Sequence, residues 1–143
     1  MKQLGTTFEY EKERNRDLIR AYRICMDAHP GLPFFQQCKL ISNMPASRFW
    51  VSEERAGIVI SHLLKGENIL LTPLKQEMYN EILGRTKAIM EREPGRAVSD
   101  IVFEVVNQPA PRFYYSAASI REMIYRIKRE WYEARKRKLR HLF

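Results

Sequence analysis

The stretch NMPASRFWVS at residues 43–52 returns 64 positions later as NQPAPRFYYS at residues 107–116, without a gap and with six of ten positions identical. The same offset sets Met26 against Met90, Pro30 and Gly31 against Pro94 and Gly95, and Ile60 against Ile124. The match therefore reaches well beyond one motif. A fixed internal period marks a supersecondary unit used more than once. Stacked arrays need about three or more copies for stability, so two copies indicate a paired module instead of a solenoid.

Outward from the repeated stretch, each copy reads as three helices. In the first, Thr6 and Glu9 stand at capping-box spacing, and Leu18, Ile19, Tyr22 and Met26 recur at helical intervals until His29, Pro30 and Gly31 stop the run. Pro33 suits a first helical turn, and Phe34, Phe35, Cys38 and Ile41 then form an apolar stripe ending near Asn43. Pro45 disfavours helical geometry at Met44. Ser52 is a good N-cap for a third helix bearing Ala56, Val59, Ile60 and Leu63, closed by Lys65 and Gly66.

The second copy repeats this grammar. Thr72 and Pro73 open a helix carrying Met78, Ile82, Leu83, Ile89 and Met90, and Glu93, Pro94 and Gly95 end it. Ile101, Val102, Val105 and Val106 are β-branched and would suit a strand, but their close succession and the gap-free match to the first copy argue helix. After Ser116, the positions Ile120, Met123, Ile124, Ile127, Trp131 and Ala134 hold one helical face for longer than their counterparts do. The expectation is an all-α chain of two tandem three-helix repeats, residues 1–66 and 67–143, packed into one compact body with a long basic C-terminal helix.

The 143 residues allow one compact domain or two very small ones. A 45% hydrophobic content lies far from the signature of disorder. No apolar run approaches the roughly 18 residues of a membrane-spanning helix, and the first ten residues lack the apolar core of a secretion signal, so a cytoplasmic protein without membrane contact is expected. Cys25 and Cys38 fall on helices with no histidine at zinc-finger spacing and read as buried, reduced thiols.

The charge is local. Residues 121–143 hold nine Lys or Arg against three Glu, six of the eight net positive charges of the whole chain. On the last helix Arg121, Tyr125, Arg126, Lys128 and Arg129 lie off the apolar stripe, and Arg135, Lys136, Arg137, Lys138 and Arg140 follow. Cations along a helix displace counterions from nucleic-acid phosphates, and interleaved tyrosines pack on sugars or unstacked bases. A solvated basic face is the alternative.

In both copies the shared motif stands between the second and third helices, where a helix-turn-helix protein makes its turn. Arg48 and Arg112 are there candidates to clamp a phosphate at a helix N-terminus, or equally to bond nearby carbonyls. Phe49, Trp50, Phe113 and Tyr114 are favoured as core plugs. From Asn15 to Glu130 the chain resembles tandem three-helix DNA-binding modules of transposases and of phage or mobile-element regulators. The eight residues from Met44 to Val51 exceed the usual three- or four-residue turn of that family. The phrase RFWVS and the ending RKLRHLF are similar to a family of small, basic, uncharacterised bacterial proteins carried partly by mobile elements, a likeness that implies no activity.

For chemistry the sequence offers little. His29, His62 and His141 form no ligand pair, and no glycine-rich phosphate loop or nucleophile elbow occurs. Glu53 and Glu54 suit the first turn of the third helix through its dipole. The reading is a non-catalytic nucleic-acid-binding protein without metal or cofactor, with DNA ahead of RNA. Its rival is a helical adaptor or homodimer docking through the last helix, and an exposed Trp131 would favour that rival.

Overall fold

The computed structural model describes the backbone of residues 2–142 and the side chains of residues 9–141. The chain is all-helical, with no strand among the described residues. In order come α1 (Lys2–Ala28), α2 (Phe34–Ser42), α3 (Glu53–Leu64), α4 (Pro73–Arg92), α5 (Val98–Val106) and α6 (Ala117–Leu142). The β-branched run 101–106 is helical, and its Ile101, Val102, Val105 and Val106 are fully buried.

Local chemistry accounts for most helix ends. Ser52 Oγ accepts from the Arg55 amide at 3.1 Å, and Ser116 Oγ accepts from the Ser119 amide at the same distance, so each third helix starts on a serine cap. Pro73 occupies the first turn of α4. Gly66 and Gly95 take positive φ of 78° and 92°, the left-handed turn past a helix end where a Cβ would be strained. One start differs from expectation: α1 begins at Lys2 and runs through Thr6, where a cap was expected.

The packing units differ from the two sequence copies. One unit comprises the chain up to Met44 together with the chain from Tyr115 on; the other is Pro45–Tyr114. In the first, α6 packs on α2 and α1; in the second, α3 packs on α5 and α4. The compact units do not follow the division of the sequence copies at residues 66 and 67: each unit combines two helices of one copy with the third helix of the other. The cause lies in the long connector. Pro45 disfavours helical geometry at Met44, so the chain leaves α2 without a short helix-to-helix turn. Ala46 and Ala110 lock this extension by exchanging two backbone hydrogen bonds of 3.0 Å in an isolated antiparallel bridge.

Each unit has its own core. In the first, Leu18 and Tyr22 of α1 and Ile41 of α2 are buried, with Ile120, Ile124 and Ile127 of α6. Ser42 Oγ donates to the Tyr115 carbonyl at 2.7 Å, holding the end of α2 to the start of α6. In the second, Phe49 and Phe113 are buried with Ile60, Ile82 and Val105. Tyr114 stacks on Phe49 at 6.0 Å and adopts a φ of 61°, a left-handed conformation that burial of its ring holds in place.

Cys25 and Cys38 are free, buried thiols. Burial pushes the Cys38 thiol up to about 11; Arg121 and Lys128 partly offset the rise and Cys25 adds to it. The unfolded thiol ionises near 9.0, so this stabilisation is complete below that pH and is lost as the pH rises through about 11. Urea midpoints of the reduced protein between pH 8 and 11 should therefore fall, and Cys38→Ala should flatten the lower part of that decline.

Unit membership makes a second prediction. Pro45–Tyr114, expressed alone, should show helical circular dichroism and a cooperative urea transition. Residues 1–66, which hold α3 but lack α6, should not.

Candidate functional site

Helix α6 is 26 residues long, roughly 39 Å. Its first half is built into its unit. Ile120, Ile124 and Ile127 face the core, and the polar side chains beside them are held by aromatic rings of α1 and α2. The Arg121 guanidinium lies 5.4 Å from the centre of the Phe35 ring, and the Tyr125 ring meets Phe34 at 5.1 Å. Lys128 Nζ donates to Tyr22 Oη at 2.9 Å while standing over the Tyr22 ring at 4.7 Å. Arg121, Tyr125 and Lys128 are therefore engaged in packing, and a cation over a ring contributes about 0.5–1 kcal/mol at such exposed sites.

Beyond them the helix stands clear. Every residue from 128 to 141 is exposed. Arg126 and Arg129 are exposed as well, followed by Arg135, Lys136, Arg137, Lys138 and Arg140. Among the described residues no carboxylate lies within ion-pair distance of these seven cations. Lys136 lies over the Tyr132 ring at 4.8 Å, an i,i+4 contact that supports the helix. Arg140 and His141 sit in the last turn, where positive charge offsets the helix dipole.

The motif arginines belong elsewhere. Arg48, with only 12% of its side chain exposed, donates from Nε to the Phe49 carbonyl at 3.0 Å and from Nη2 to the Val51 carbonyl at 2.8 Å. Its Nη1 reaches Glu53 Oε1 at 3.2 Å, and its plane covers Trp50 at 5.2 Å. Glu53 also accepts from Asn107 Nδ2 at 3.3 Å, which occupies this helix-start carboxylate structurally. Arg112, 22% exposed, pairs with Glu77 at 3.3 Å and covers Tyr114 at 5.8 Å. Of the two roles open to Arg48 and Arg112, the geometry fits carbonyl and carboxylate bonding within the Pro45–Tyr114 unit. Phe49, Trp50, Phe113 and Tyr114 are buried, as core plugs should be.

Sequence reasoning missed the face of α1 that borders α6. Arg16, Arg20 and Arg23 recur at i, i+4 and i+7, a spacing that puts three guanidinium groups on one side of the helix. Between this face and α6 lies a groove of about 750 Å³ that reaches Trp131, whose side chain is 51% exposed. The expected apolar stripe of α6 thus leaves the core after Ile127. Among the described residues no group of three or more His, Cys, Asp or Glu is placed to hold a metal ion, and no helix is long and apolar enough to cross a membrane.

No protein-family model, curated protein or solved structure matches this chain.

The two motif arginines should differ on substitution. Arg48→Met strands two carbonyls and a carboxylate and should lower unfolding stability by roughly 1–3 kcal/mol. Arg112→Met breaks a solvent-screened pair and should cost less than about 1 kcal/mol. Urea denaturation of both variants checks the ranking.

Proposed function

We propose that this chain is a non-catalytic nucleic-acid-binding protein that grips double-stranded DNA through the free half of α6. The supporting observation is the exposed helical run 128–141 with its unpaired cations. A helix with its side chains is about 10–12 Å across, the width of a B-form major groove. Cations on several sides of such a rod meet phosphates of both strands at once. Arg126 and Arg129 extend the contact toward the packed half of the helix, whereas Arg121 and Lys128 position the rod.

In this reading the chain is a duplicated three-helix unit whose third helices are exchanged, and the exchange anchors the basic helix at one end only. A second reading, an adaptor that docks on protein, is favoured by one observation, the half-exposed Trp131.

Fluorescence anisotropy with duplex DNA over a range of salt concentrations tests the proposal. Replacing Arg135, Arg137, Lys138 and Arg140 by Gln should reduce the slope of log affinity against log salt by about three to four units. Lys128→Gln should lower the melting temperature and leave the slope almost unchanged. An unaltered slope in the fourfold variant, with binding intact, would remove the free helix from the interface. Competition by single strands and structured RNA at fixed salt distinguishes duplex DNA from RNA.

A further inference from the structure

The groove between α1 and α6 differs in chemistry from the free cationic run. Its floor is aliphatic: Ile19 and Ile127 are buried, and the half-exposed Ile24 and Trp131 also line it. Arg16 and Arg23 stand on the rim. The charge of Arg20, on the same rim, is met by Asp17 at 2.6 Å. Glu11 and Glu130 also line the opening. The groove arises from the length of α6. The position 64 residues before Trp131 is Glu67, which lies past the end of α3 and bonds His62.

We propose that this groove receives an acidic amphipathic helix of another protein. An apolar floor of Ile19, Ile24 and Ile127 that ends at the half-exposed Trp131 suits the helix-in-groove mode, in which apolar residues at i and i+3 or i+4 enter the floor. Arg16 and Arg23 then pair with Asp or Glu flanking that apolar stripe, and Glu11 and Glu130 select for a basic residue at the ends. A nucleic-acid strand fits less well, because an aliphatic floor of Ile19, Ile24 and Ile127 offers sugars and phosphates no hydrogen-bond partner, whereas it buries the apolar stripe of a helix. A second copy of this chain is disfavoured by charge: residues 129–141 carry six Lys or Arg against two Glu, and the rim they would approach is itself cationic.

A display selection against the full-length chain tests this with a library of sixteen-residue helices. The library keeps a Leu, Ile or Phe stripe and varies the flanking positions among Glu, Lys and Ser. The selected peptides should be enriched in Glu beside the stripe and should shield Trp131 from acrylamide quenching, since the other tryptophan, Trp50, is already buried. Trp131→Ala, and separately Arg16→Glu with Arg23→Glu, should each weaken the selected peptide at least tenfold while circular dichroism stays unchanged. The fourfold Gln variant of the free helix should bind the peptide as the native chain does, so a failure of the DNA reading would leave this outcome intact. Neutral or basic winners, no winners, or binding that survives Trp131→Ala would overturn the proposal. So would protection of Trp131 by an oligonucleotide, or a dimer in light scattering that Trp131→Ala dissolves.

Discussion

Two backbone hydrogen bonds between Ala46 and Ala110 constrain this fold more than any single side chain. They form because both connectors are extended, and the connectors are extended because a proline follows Met44 in one and Gln108 in the other. Once 45–51 runs outward as a strand-like segment, Phe49 enters the core of the Pro45–Tyr114 unit and its amide bonds the Val106 carbonyl at 3.0 Å. Helix α3 then has α4 and α5 as neighbours, and α6 is left to α1 and α2. The arginine beside each phenylalanine follows from the same geometry: Arg48 donates to the carbonyls that an extended loop exposes.

The same arrangement separates two kinds of residue on α6. Up to Lys128 its polar groups rest on the aromatic rings of Tyr22, Phe34 and Phe35, so a cation there is part of the packing. Past that point every described side chain is exposed, and the cations face solvent. One composition thus gives two behaviours, set by burial. The groove at Trp131 lies at this boundary, where Ile127 is buried and Trp131 is half-exposed.

Local features were legible in the residues. The serine caps at Ser52 and Ser116, the glycine stops at Gly66 and Gly95, and the helical character of 101–106 all follow from chemistry within a few positions. The choice of packing partner was not. Periodicity identifies the apolar face of α3 but says nothing about which helix covers it, and α2 and α5 present similar stripes 64 residues apart. The overlong connector was visible and pointed away from a tight turn, but a connector's length does not say which helices α3 and α6 pack against. Trp131 continued the stripe of Ile120, Ile124 and Ile127, and periodicity alone does not distinguish its half-exposed ring from their buried side chains. Arg48 and Arg112 shared a motif position, yet the sequence held equal cases for a phosphate and a carbonyl partner.

The exchange also sets the order in which a nascent chain can mature. The helices of Pro45–Tyr114 leave the ribosome in unbroken succession and can close their core at once. By contrast, α1 and α2 emerge first and must wait while seventy further residues are made before α6 begins to appear. At about 5–20 residues per second that delay is roughly 4 to 15 seconds. Throughout it Leu18 and Ile41 have no third helix to cover them, so helices made before the Pro45–Tyr114 unit are shielded from chaperones and proteases only after it.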